Sequence, residues 1–306
     1  MLKRDFRLSL TPGLFIFITF FTGALAQAKT EPVIPNPDPV AYSWKIVDEA
    51  IQSHDPSKRR EIVVAASLGG PYDKVFAFLT KAMKDEKVEV RLAACASLAS
   101  YKDPRSIPPL KVALDDKVPE IVFCAAQALW AMDQPEGEKV LLGILAKDKG
   151  ISSSYLSAHQ RQVMSTFDNK KIFFGTIFRL GIRFAPVPGL AMGFTSMEQL
   201  MKDHKAGGQA MAAIDLSHAS DPESLKLLVE ALKDKSPIVR AAAIHALAMR
   251  SDPSVRAELV PLLDDKATTV SFRAAVAYLR LDHIEKTAQV KAAEPAATPA
   301  PGRKKK

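Results

Sequence analysis

Apolar residues recur three and four positions apart along most of this chain, in short runs that break at an aspartate. The clearest run places Leu225, Leu228 and Leu232 on one stripe, breaks at Asp234, and resumes with Val239, Ala243 and Leu247. That spacing predicts two amphipathic helices joined by a short polar turn, whose aspartate can accept backbone N–H groups at the start of the second helix. The segment "DPESLKLLVEALKDKSPIVRAAAIHAL" from Asp221 aligns without a gap on "DPRSIPPLKVALDDKVPEIVFCAAQAL" from Asp103.

Steps of about 31 residues from these two segments recover further copies. One step back from the second gives Phe76, Leu79, Met83, Asp85, Val90, Arg91, Ala94 and Leu98. One step forward from the first gives Leu259, Leu263, Asp265, Val270, Ala274 and Tyr278, with Ser271 at the arginine position. One step back from it gives Phe194, Met197, Met201, Asp203, Gln209, Ala212 and Leu216. Two degenerate copies cover Trp44–Leu68, with Arg60 at the arginine position, and Val140–Phe167. Neither helix of a pair can bury its stripe alone, so the pairs must stack, and small alanines on the second helix let backbones approach. The predicted fold is an all-α solenoid of antiparallel helix pairs.

The residues of "SPIVRAAAIHAL" and "KVEVRLAACASL" resemble HEAT repeats, and the short period is most similar to the HEAT-like repeats of phycobilisome lyases. The resemblance implies that the turn Asp and the second-helix Arg support one another as a ladder between repeats. Asp85 with Arg91 and Asp234 with Arg240 fit it, whereas Val122 and Ser271 stand where an arginine would, which implies an interrupted ladder. In the lyase type, repeats hold a tetrapyrrole or an acceptor protein, and this is the rival to a pure binding role. Bilin attachment in the cytosol sits badly with the leader described next.

Outside the rhythm, Lys3, Arg4 and Arg7 precede the apolar run Leu14–Phe21 and the small-x-small site Ala24-Leu25-Ala26. Residues 1–26 therefore read as a signal peptide cleaved after Ala26, which implies a periplasmic or secreted chain. Residues 27–39 read as a Pro-rich linker and 285–306 as a disordered Ala/Pro/Lys tail. Repeats are expected over 40–165 and 191–284, separated by an apolar insert helix at 166–190. In that insert Ile172, Phe173, Phe174, Ile177, Phe178, Leu180, Ile182 and Phe184 cover most of a helical wheel, with Arg179 and Arg183 among them. Three readings stand open for it: a buried helix dividing the solenoid, a helix that docks a partner, or a helix lying on a membrane surface.

The formal charge of +8 sits at the ends, with +2 over residues 1–26 and +5 over 286–306, leaving +1 for the body. A nucleic-acid binder carries its basic footprint on the folded surface, so nucleic acid is excluded as a partner. The two cysteines, Cys95 and Cys124, read as small core residues, although an oxidising compartment would also permit a bridge. Metal, nucleotide and hydrolase motifs are lacking, the six histidines are scattered, and Asp115-Asp116 and Asp264-Asp265 fall in turns. The expectation is therefore a chain with no cofactor and no metal, not an enzyme, that binds a protein or peptide on a solenoid face. Outward positions of second helices, Arg91, Glu120, Gln127, Arg240 and His245, and the insert's Arg179 and Arg183, are the candidate partner-binding residues.

Overall fold

The computed structural model describes residues 38–70, 72–145, 157–160 and 204–293. The expected signal peptide, nearly all of the linker, the 166–190 insert with Arg179 and Arg183, and the end of the tail lie outside the described residues.

Helix pairs form where the apolar spacing places them. In chain order the helices are α1 Pro39–Gln52, α2 Pro56–Ala66, α3 Asp73–Ala82, α4 Val88–Tyr101, α5 Ile107–Ala113, α6 Pro119–Trp130 and α7 Pro135–Leu145. They continue with α8 His204–Asp215, α9 Pro222–Ala231, α10 Pro237–Arg250, a 3₁₀ helix Pro253–Asp264 and α11 Thr268–Ala293. An Asp-Pro pair opens α1, α2, α9 and two 3₁₀ segments. Asp38, Asp55, Asp103, Asp221 and Asp252 each accept a backbone N–H from the first turn, at 2.7–2.9 Å, while proline fills a position whose N–H would be orphaned. Second helices start differently. The turn aspartates 85, 116, 234 and 265 each accept the N–H two residues on, at 2.7–2.9 Å. Lys102, Asp133 and Ser251 hold equivalent positions after a second helix, and all three take the left-handed conformation that ends it.

The fold is an all-α solenoid, but its repeats do not stack in sequence order. α2, α4 and α6 pack side by side, each against its own first helix; α8, α10 and α11 also pack side by side, with α9 against α10 and the 3₁₀ helix against α11. The two arrays then join through their terminal helices, because α11 packs on both α1 and α2. The row of second helices therefore runs α8, α10, α11, α2, α4, α6, with α7 at the far end beyond α6. A third core, Val47, Ala50, Ile62, Ala65, Leu68, Phe272, Val276 and Leu279, fills the seam between arrays. It bridges the α2–α7 core and the α8–α11 core.

Several boundaries move. α1 begins at Pro39, inside the expected linker, since Asp38 caps it. α11 continues to Ala293, well into the expected disordered tail. The first helix of the last pair is 3₁₀, with Pro261 inside it unable to donate an N–H. In α8 the buried positions include Ala206, Ala210, Ala213 and Ile214, while the expected Gln209 and Ala212 are exposed and Leu216 only half-buried. Cys95 and Cys124 are buried thiols of the α2–α7 core with no disulfide between them.

Candidate functional site

The ladder is real, and it runs between repeats rather than within one. Arg91 Nε and Nη2 grip Asp116 at 2.9 and 3.1 Å, while Nη1 donates to the carbonyls of Asp85 and Glu86 in its own turn. Arg240 repeats this with Asp265 at 2.8 Å on both oxygens, and with the carbonyls of Asp234 and Lys235. Arg59 does the same with Asp85 and the carbonyls of Ser53 and His54. Thus Asp116 and Asp265 serve the arginine of the preceding repeat, and the lack of an arginine at Val122 and Ser271 does not leave them idle. The ladder residue of the first repeat is Arg59, not Arg60. A one-residue offset near Gly69-Gly70 shifts the count, and the spacing of six from Ser53 is what Arg91 shows from Asp85. Burial pushes the Asp85 and Asp265 carboxyls up, but the paired arginine and a backbone N–H outweigh it and hold both below the usual carboxylate range.

These contacts correct the outward placement of Arg91 and Arg240. Arg91 is 6% exposed, and the guanidinium donors of both arginines are engaged within the stack. Bidentate pairs of this kind fix register between neighbouring repeats. Glu120 and Gln127 are half-buried on α6, and the buried Gln127 Oε1 has no hydrogen-bond partner among the described residues. His245 is half-buried on α10, its pKa lowered to about 4 by burial and by Arg273, Arg280 and His218 nearby. The structure thus spreads the candidates over α4, α6 and α10 and does not gather them at one point.

What it does gather lies at the seam, and the repeat pattern gave no hint of it. Arg273 of α11 is 2% exposed and donates to Glu61 of α2 at 3.1 Å. Arg280 Nη1 donates to the Leu68 carbonyl at 3.2 Å, and its Nη2 donates to Ser251 Oγ at 3.0 Å. The Tyr72 hydroxyl donates to the Arg280 carbonyl at 2.9 Å, and its ring meets His283 edge-on with centroids 4.1 Å apart. Beside them opens a pocket of about 400 Å³, lined by Trp44, Tyr72, Asp73, Asp282, His283 and Lys286 among others. Asp282 is paired with Arg256 at 2.9 Å and Lys286 at 2.8 Å, and the Lys74 ammonium sits 3.8 Å from the Trp44 ring centroid. Burial pushes Tyr72 up to about 12, so its phenol stays protonated. The pocket thus offers ring faces and already paired charges. Among the described residues, no cluster of three or more His, Cys, Asp or Glu side chains could hold a metal ion.

A second surface lies at the other end. Val112 of α5, Trp130 of α6, and Leu142 and Leu145 of α7 are exposed, Trp130 at 59% and Leu145 at 84%. Among the described residues, no helix is long and apolar enough to cross a membrane.

The model of HEAT repeats matches residues 45–130, 76–152 and 196–280. No curated protein matches the chain. Among solved structures, human deoxyhypusine hydroxylase in complex with glycerol is 17% identical, with 80% of this chain and 97% of that chain covered and a TM-score of 0.30. That neighbour is named as an enzyme, so the expectation that this chain is not one is withdrawn: a helical stack without a recognisable catalytic motif does not exclude catalysis. At this score and identity the likeness carries no activity across. The repeat matches span most of the sequence, and the chain belongs to the HEAT-repeat family.

Proposed function

We propose that this chain is a binding scaffold that docks a protein or peptide on the exposed end of its first array. The observation that carries the reading is the apolar set Val112, Trp130, Leu142 and Leu145, exposed on three successive helices. Large apolar side chains left in water on neighbouring elements are what partner surfaces present, and tryptophan is the residue type most enriched among their anchors. Half-buried Gln127 lies one turn before Trp130 on α6 and supplies a polar neighbour to it, while half-buried Glu120 sits at the start of the same helix. The leader-like residues 1–26 favour a place in the cell envelope or outside the cell. The test is a pull-down from envelope extract with the wild-type chain and with Trp130→Ala/Leu145→Glu. A protein retained by the first and lost by the second supports the reading. Recovery of nothing above background, or equal recovery by both, overturns it.

A further inference from the structure

The pocket of about 400 Å³ at the seam takes its walls from both arrays. Trp44 comes from α1, Tyr72 and Asp73 from the start of α3, and Asp282, His283 and Lys286 from α11. Its volume falls in the range of small-molecule sites. The rings in it are fixed. The Tyr72 hydroxyl is tied to the Arg280 carbonyl, and the Tyr72 and His283 planes meet at 63°, which makes a corner rather than a stack. Behind Trp44 and Tyr72, the side chains of Val47, Val75, Phe78 and Val276 leave a cavity of only about 10 Å³, so these rings have no room to retreat.

Three features select the ligand. The Lys74 ammonium, 3.6 Å from the Asp48 carboxylate, lies 3.8 Å from the Trp44 centroid, so one ring of this site already carries a cation of the chain itself. The ion pairs around the pocket set four carboxylates, Asp73, Asp103, Asp282 and Glu285, against three cations, Arg105, Arg256 and Lys286, among the described residues. That balance disfavours an anion and favours a positive group. Yet Asp282 spends Oδ1 on Arg256 and Oδ2 on Lys286, and Asp73 accepts from Arg105. A primary ammonium brings three donors and a guanidinium five, and would find those acceptors taken. A quaternary ammonium brings none, and is held by ring faces and net charge alone.

We propose that the seam pocket binds an alkylated ammonium group, either of a free choline-like solute or of a choline lipid headgroup. Trp44, Tyr72 and His283 supply ring faces for its methyl groups, and Asp73 and Asp282 supply the negative potential beside them. Because α1 and α11 both furnish walls, the bound group ties the two arrays together where they meet. This site is separate from the docking surface on α5–α7.

The test titrates the full chain with choline and with 3,3-dimethyl-1-butanol, its uncharged isostere, while NMR follows the indole N–H signals of the two tryptophans. The Trp44 signal is the one lost in Trp44→Leu. Choline should shift the Trp44 signal alone and bind about tenfold more tightly than the alcohol. Asp73→Asn alters a side chain that is 96% exposed, so the fold tolerates it; it should weaken choline about two- to fivefold and leave the alcohol unchanged. Lys74→Met removes the resident ammonium from Trp44 and should tighten choline. Sedimentation with phosphatidylcholine vesicles separates the sources. Saturable binding of free choline identifies a solute, whereas vesicle binding weakened by Asp73→Asn, without binding of free choline, identifies a headgroup. Equal affinity for choline and the alcohol, a shift at Trp130 instead of Trp44, unchanged choline binding in Asp73→Asn, or binding of neither choline nor vesicles would overturn the proposal.

Discussion

Interfaces within an array and the seam between arrays solve the same packing problem with different means. Within an array, Arg59, Arg91 and Arg240 tie α2, α4 and α10 to the turn of the next repeat at a partly buried edge, with the same geometry each time. At the seam a buried pair, Arg273 with Glu61, sits beside an apolar core to which α1 contributes. The ladder is redundant and modular, whereas the seam depends on residues that occur once. Solenoid stability is approximately a sum of repeat and nearest-neighbour terms, so one weak interface divides the molecule.

The strongest way to break this comparison is Glu61→Gln. It removes the carboxylate facing a buried guanidinium and is expected to cost about 3 kcal/mol. Urea unfolding followed by circular dichroism should then split into two transitions as the arrays uncouple; a single transition at an unchanged midpoint would show that the seam is no weak point. Asp116→Asn in the ladder is expected to cost less, about 2 kcal/mol, because it weakens a charge-assisted bidentate contact. Unfolding should remain a single transition there, since α4 and α6 also share an extensive apolar core.

Acid separates the two kinds of residue further. The Asp85 and Asp265 carboxyls are depressed in the fold, so their contribution is present in full above the unfolded value of about 4 and is lost as pH falls through the lower folded values. His245 is depressed from 6.5 to about 4, so the fold favours its neutral ring; that contribution is full above pH 6.5 and declines as pH falls towards 4. Melting temperature should therefore drop in two stages. His245→Gln should flatten the stage between pH 6.5 and 4 while leaving the more acid one in place. The smallest effect is expected from Lys102→Gly, which relieves a left-handed residue at the end of α4. It should raise the urea midpoint by the equivalent of roughly 0.5–1 kcal/mol.

How much of this was legible in the sequence follows from the same contrast. Periodic features could be read directly: the helix pairs, the turn aspartates and the leucine and alanine core positions of the clear copies. Counting by a fixed step failed where the register slips by a residue, which is why Arg60 stood in for Arg59 and the α8 stripe was displaced. Outward placement of Arg91 and Arg240 failed for another reason. An arginine on a helix edge looks solvated until the next repeat brings an aspartate beneath it. The seam was out of reach, because Glu61, Tyr72, Arg273 and Arg280 belong to no repeating pattern and meet only through the order in which the arrays dock. One local sign was present in Gly69. A side chain there would press on the Ala66 carbonyl and Val276 at 3.2 Å.

The meeting of the first and last helices has a kinetic side. Ladder bonds join residues about 25 positions apart, whereas Tyr72 to Arg280 and Arg273 to Glu61 span 208 and 212. Long closures slow folding, so each array should assemble early and the docking of α11 on α1 and α2 should come last. A circular permutant that links residue 293 to 38 and opens the chain between 145 and 157 would turn those distant contacts into neighbours. It would convert the latest step of folding into one of the earliest and leave the same helices in the same order along the stack.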